Sequence, residues 1–174
     1  MSNGRNDSAH VMTLAYGGMM AALVFVATYF LRLPINPVTG GYIHLGDGFI
    51  LLGASLLGWP SVPAAAIGSM LADLLGGYTV YCLPTFLIKA AVAAVAVWAT
   101  SNHRPYWLTV LLLALAELVM VAGYFLVEWL IIVASLETAL AAIVPNLVQG
   151  LSGVVIGAVL IPLMRRVKLT GIKR

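Results

Sequence analysis

The chain reads as an all-α integral membrane protein: a six-transmembrane-helix bundle with both termini cytoplasmic. Three observations predict this. Of 174 residues, 62% are apolar and only 9% charged, where a soluble domain is about half apolar and a quarter charged. Mean hydropathy is +1.04, and breakers cut the apolar sequence into six segments, with a span needing about 20 apolar residues. Seven of the nine Lys and Arg residues then fall on one side. No room remains for a second soluble domain, so residues 1–174 form one membrane domain with polar tails at 1–10 and 165–174.

The elements follow in order. The first helix runs from about Val11 to Leu31. It is too long for a signal-peptide core and lacks a small-residue cleavage pattern, so it is read as part of the mature protein. Two prolines and Gly40-Gly41 make Arg32 to Ile43 a loop. A second segment runs from about His44 to Leu57 and turns at Gly58-Trp59-Pro60. A third runs from about Val62 to Leu75, with Ser61 as N-cap, and breaks at Gly76-Gly77-Tyr78. Fifteen helical residues cover only about 22 Å, so these two are short spans or one re-entrant hairpin. The fourth helix opens at about Pro84, where proline loses no needed N–H, and ends near Thr100. The fifth covers about Trp107 to Val133 and the sixth about Ala139 to Met164.

Charge orients the bundle. Arg5, Arg104, Arg165, Arg166, Lys168, Lys173 and Arg174 lie on one face, Arg32 alone on the other, and Lys89 within the fourth helix. Basic residues stay on the cytoplasmic side. They sit mainly at the chain ends and in one loop, which is a topology signal and not a nucleic-acid footprint. The single cysteine, Cys82, excludes an internal disulfide framework and a Cys-rich metal site. No metal site or cofactor is expected.

Ionisable groups inside a membrane are costly and face a bundle interior or a wet cavity. Here they are His44, Asp47, Asp73, Lys89, Glu117 and Glu128, joined by Asn146 and Gln149. Counting along the helices brings polar groups from five segments to one level in the outer half, with only Glu117 reaching the midplane. His44 and Asp47 are three apart and share a helix face, as do Asn146 and Gln149. Glu117, Tyr124 and Glu128 form one stripe. Lys89 needs a partner in lipid, and both Asp47 and Asp73 lie near its depth. Taken singly, these residues have plainer readings: His44, Asp47 and Glu128 as wetted interfacial groups, Lys89 as a snorkelling or structurally paired cation, Asn146 and Gln149 as interhelical contacts. Their shared depth points to a ligand site, with Tyr42, Tyr78 and Tyr81 available to stack on a flat ring.

The first helix carries two small-xxx-small pairs, Gly17/Ala21 and Gly18/Ala22, following Ala15. Such a face lets another helix approach closely, in the same chain or in a partner. The sequence has no GxxxxGK[ST] phosphate loop, no HExxH and no GxSxG. An ATPase is excluded and no enzyme is expected.

Three stretches carry a family resemblance: Gly40-Gly41-Tyr42-Ile43-His44-Leu45-Gly46-Asp47, Gly68-Ser69-Met70-Leu71-Ala72-Asp73-Leu74-Leu75-Gly76-Gly77-Tyr78, and Thr85-Phe86-Leu87-Ile88-Lys89. They resemble the substrate-binding S components of energy-coupling factor (ECF) vitamin transporters, in the group described as ECF-type riboflavin transporter S components. The resemblance implies high-affinity binding of a small vitamin or precursor. It also implies docking, through small residues of the first helix, onto a membrane coupling subunit driven by two ATPases. Gly17/Ala21 and Gly18/Ala22 stand where that family places an Ala-xxx-Ala contact, here with Gly first. The loop Arg32 to Ile43 would help close the pocket. The competing readings are a stand-alone proton-coupled carrier relaying through Asp73, Lys89 and Glu117, and an intramembrane enzyme.

Overall fold

The computed structural model describes residues 3–34, 42–101, 104–132 and 134–164. The centre of the first loop (35–41) and the basic tail from Arg165 lie outside the described residues, as does the Arg5 side chain. Among the described residues there are six α-helices: α1 (Asn3–Tyr29), α2 (Gly46–Leu57), α3 (Ser61–Gly76), α4 (Cys82–Ser101), α5 (Tyr106–Val127) and α6 (Leu136–Met164). Four of the helical segments are long and apolar enough to cross a membrane: Asp7–Tyr29, Thr79–Ser101, Tyr106–Ile132 and Leu136–Met164. The helices α2 and α3 are shorter. Many large apolar side chains point outward, Leu14, Leu83 and Leu151 among them, as expected of a lipid-facing surface.

The helices close a ring in the order α1–α3–α4–α5–α6–α2, and α2 also touches α4 across it. Accordingly α2 is the most enclosed element, with nine of its 12 residues buried. A helix apolar all round belongs in such a position. It descends to Gly58-Trp59-Pro60, and α3 returns, so the start of α2 and the end of α3 lie at the same end of the bundle. Ser61 does not cap α3 from outside, as its residue type predicts. It is the first helical residue, and its hydroxyl donates back to the Gly58 carbonyl at 2.7 Å. The tight Gly58–Ser61 turn has already satisfied the entry to the helix.

A two-stranded ribbon covers the open end, where the sequence reads as loop and helix. Strand β1 (Arg32–Pro34) pairs antiparallel with β2 (Tyr42–His44), matching Arg32 to His44 and Pro34 to Tyr42. His44 is therefore on a strand and does not share a helix face with Asp47. An isolated ribbon is marginal in water. This one is held from outside: the His44 N–H donates to Gln149 Oε1 of α6 at 3.2 Å.

The α1–α3 contact rests on glycine. A Cβ on Gly68 would stand 2.4 Å from the Ala21 carbonyl oxygen of α1, a backbone atom that cannot turn aside. Gly68→Ala should therefore separate the helices and cost about 1–3 kcal/mol, the usual range for overpacking. Gly18→Ala meets nothing within 4 Å and should leave stability unchanged. Thermal unfolding of the two purified variants in detergent checks the contrast.

Candidate functional site

At the ribbon end of the bundle is an open cleft, with about 560 Å³ of empty space when the open solvent at its mouth is included. Each wall has a local cause. The end of α3 is closed by Gly77 in the left-handed conformation (φ 84°), with the Tyr78 N–H returning to the Asp73 carbonyl at 2.8 Å. This Schellman closure needs a residue without a Cβ, and it places Asp73 and Tyr78 on the same rim. A single 3₁₀ turn, Thr79–Tyr81, leads into α4, where Pro84 falls in the first turn and forfeits no hydrogen bond. The far end of α5 widens into a π-helical turn, Glu128–Ile132. Beyond it Ala134 holds φ 51° and returns its N–H to the Glu128 carbonyl at 3.3 Å. In α6, Pro145 interrupts the ladder next to Asn146.

The cleft is lined by Tyr42, His44, Asp73, Tyr78, Tyr81, Thr85, Tyr124, Glu128, Ala142, Pro145, Asn146 and Gln149. Eight of the ten residues read from the sequence as ligand contacts are in that lining. The exceptions, Asp47 and Lys89, lie beneath the floor. Their side chains are fully buried and paired at 2.6 Å, which settles Lys89 on Asp47 and not on Asp73. Asp47 turns its second oxygen to Gln149 Nε2 at 2.7 Å, so the pair supports the floor without being part of it. Glu117 is also below the cleft, buried against Gly150 and Gly153 of α6, and neither of its oxygens has a hydrogen-bond partner among the described residues.

The walls are aromatic and acidic. The Tyr42 and Tyr78 rings lie 4.9 Å apart, and Tyr42 lies 5.6 Å from His44. The Tyr42 hydroxyl donates to Asp73 Oδ1 at 2.5 Å, and burial, together with the carboxylate beside it, holds that phenol firmly un-ionised. Burial pushes His44 down to about 4, so its ring is neutral near pH 7. Its Nδ1 accepts the Gly46 N–H at 3.0 Å, which leaves the proton on Nε2. The Tyr81 hydroxyl reaches Glu128 Oε1 at 3.4 Å, and Thr85 shares a hydrogen bond with Tyr124 at 2.9 Å.

Four lining residues are not among those ten: Thr85, Tyr124, Ala142 and Pro145. Thr85 and Tyr124 each have a signal: Thr85 is one turn before Lys89, and Tyr124 lies on the Glu117 stripe. Arg32 stands in the sequence as a topology charge and as the start of the loop that helps close the pocket. Its guanidinium stands 4.7 Å from the Tyr29 ring, 5.6 Å from Tyr42 and 5.8 Å from Tyr78, close enough for cation–π attraction. That grouping depends on the ribbon, which the sequence pattern does not show. The proposed docking residues divide: Gly17 and Ala21 are half-buried, Gly17 near Pro60 and Ala21 against Gly68, whereas Ala15, Gly18 and Ala22 face outward.

Tyr42→Phe removes the donor to Asp73 and should cost about 1–3 kcal/mol for the stranded acceptor. Tyr78→Phe removes a hydroxyl with no partner among the described residues and should stay within about 0.5 kcal/mol of the parent. Denaturation midpoints of the purified proteins distinguish the two.

Comparison with known proteins agrees with this arrangement. Residues 8–166 match the family model described as ECF-type riboflavin transporter, S component. A Lactococcus lactis subsp. cremoris protein, "Thiamine precursor transporter HmpT", is 32% identical over 163 residues, covering 92% of each chain. An "Uncharacterized protein in gap 3'region" of Pyrococcus woesei is 35% identical over 136 residues, 77% of this chain and 88% of that one. Apolar spans, a polar cleft between them and these matches lead to one conclusion: the chain belongs to the ECF-type riboflavin transporter S component family, a multi-pass membrane protein of vitamin-type substrate uptake.

Proposed function

We propose that this chain binds a vitamin or vitamin precursor with high affinity at the outer face of a prokaryotic plasma membrane. It passes that ligand inward as the substrate-specific subunit of an ECF-type ABC transporter. The observation that carries the reading is the cleft itself, with its polar and aromatic lining gathered at one end of an otherwise apolar bundle. Arg104 belongs to the opposite end, where its guanidinium packs on Trp98 at 4.3 Å. With basic residues on the cytoplasmic side, the cleft opens outward and both termini are inside. Binding is the chain's own task. The sequence has no phosphate loop, so uptake draws on ATP hydrolysis by two partner subunits through a membrane coupling subunit.

Docking falls to the outward side of α1. Ala15, Gly18 and Ala22 present little bulk there, and nothing lies within 4 Å of a Cβ on Gly18. Small residues let helix backbones approach closely. A stand-alone proton-coupled carrier is the second reading, favoured by one observation: Glu117 is a buried carboxylate without a hydrogen-bond partner among the described residues, and such intramembrane groups serve in proton relays.

Mass spectrometry of small molecules co-purifying with the chain should find a vitamin or precursor. Gly18→Leu with Ala22→Leu should keep ligand binding in detergent, abolish uptake and lose co-purification of the coupling subunit. A double variant that loses ligand while the complex still assembles would refute docking on this face. Ligand accumulation by the wild-type chain alone in proton-loaded liposomes would establish the carrier reading instead.

A further inference from the structure

We propose that Glu128 fixes the polarity of the ligand. The cleft takes a flat heterocycle that presents an amino, amidine or protonated ring nitrogen to this carboxylate, and it rejects the same ring carrying a phosphate or carboxylate. The inference rests on reading the cleft as the ligand seat.

Two carboxylates line the cleft, Asp73 and Glu128, and no lysine or arginine is among the lining residues. The nearest buried cation, Lys89, is paired with Asp47 at 2.6 Å with no exposure. Arg32 stands outside the lining, near three tyrosine rings. An anionic ligand would therefore meet two like charges in the lining, against one cation beside it, Arg32, whose Nη1 has no hydrogen-bond partner among the described residues. A cation or a donor-rich edge meets the reverse.

Of the two carboxylates, only Glu128 carries a buried oxygen without a partner among the described residues. Asp73 Oδ1 takes a short hydrogen bond from Tyr42. Glu128 is only 4% exposed, Oε1 receives a long contact from Tyr81 at 3.4 Å, and Oε2 is buried with no partner among the described residues. A buried acceptor without a donor is uncommon and calls for an explanation. The backbone around it is specialised too: Glu128 opens a π-helical turn, a rare arrangement that is frequent at functional sites. The Asn146 side chain, also in the lining, makes no hydrogen bond among the described residues, and the neutral His44 ring has an N–H to give. Acceptor, carboxamide and N–H together suit the alternating edge of a nitrogen heterocycle, whose faces the tyrosines would cover.

The test uses purified wild-type chain, stripped of endogenous ligand, in calorimetric titrations with matched probes. These are an aminopyrimidine bearing a hydroxymethyl group, the pyrimidinone that replaces its amine with a carbonyl, and the phosphate ester of the first. Riboflavin with its phosphate, and pyridoxine with its phosphate, extend the panel. The amino probe should bind about ten- to a hundredfold tighter than the pyrimidinone, the range of one charge-assisted hydrogen bond. Each phosphate should bind more weakly than its parent. In Glu128→Gln the preference for the amine should largely disappear. A phosphate that binds as well as its parent overturns the proposal while leaving a vitamin binder in place, as does discrimination unaltered in Glu128→Gln. Should that variant fold poorly, the wild-type ranking decides alone. If no ring of any polarity binds, the reading of the cleft as a vitamin seat falls with it.

Discussion

Asp47 and Lys89 meet at 2.6 Å with neither side chain exposed, and the cleft above them depends on that contact. It joins α2 to α4. Through Asp47 Oδ2 and Gln149 Nε2 it extends to α6, and through Gln149 Oε1 to the His44 N–H on the ribbon. Four elements are thus linked by three hydrogen bonds in sequence. A buried ion pair is weak support for stability as such, because desolvating two charges offsets most of their attraction. Its directional constraint is another matter. Only one placement of α2, α4 and α6 satisfies both oxygens of Asp47, and that placement sets the Gln149 carboxamide under the ribbon.

The helices bring the same discipline to the rest of the seat. Short α2 can be wholly enclosed because longer helices surround it. Gly150 and Gly153 let α6 lie directly against Glu117 and Asp47, so the polar layer is packed by backbone and not by bulky side chains. Above it the aromatic lining is less constrained. The tyrosines are tied by single hydrogen bonds or ring contacts, and the ribbon by its pairing and by Gln149. A rigid floor under a more lightly held rim suits a site that must admit and release a ligand from one side.

Much of this was legible in the sequence, for physical reasons. Apolar length and Gly/Pro breaks mark helices, and their bounds came within a few residues for α3, α4 and α6. Polar residues in lipid are rare enough that their depth alone located the cleft. What failed involved contacts between distant segments. The ribbon could not be read because Arg32–Pro34 and Tyr42–His44 become strands only by pairing, stabilised from α6. The partner of Lys89 could not be read because depth leaves Asp47 and Asp73 equivalent, and only the inward rotation of α2 separates them. α1 begins at Asn3 and not near Val11, since a polar segment without a breaker can continue a helix beyond the apolar region. The division of the α1 small residues into an inward and an outward side likewise depends on where α3 packs.

The claim at the centre of this account is that the buried pair organises the ligand seat without touching the ligand. A double-mutant cycle with Asp47→Leu, Lys89→Met and the combined variant tests it directly, read by unfolding free energy and by titration with the co-purified ligand. Each single variant should lose about 3–5 kcal/mol of stability, the usual consequence of stranding one buried charge. The combined variant should recover most of that stability yet fail to restore binding, because Gln149 has lost the carboxylate that fixes it. Single variants that bind ligand and unfold as the parent does would contradict the account.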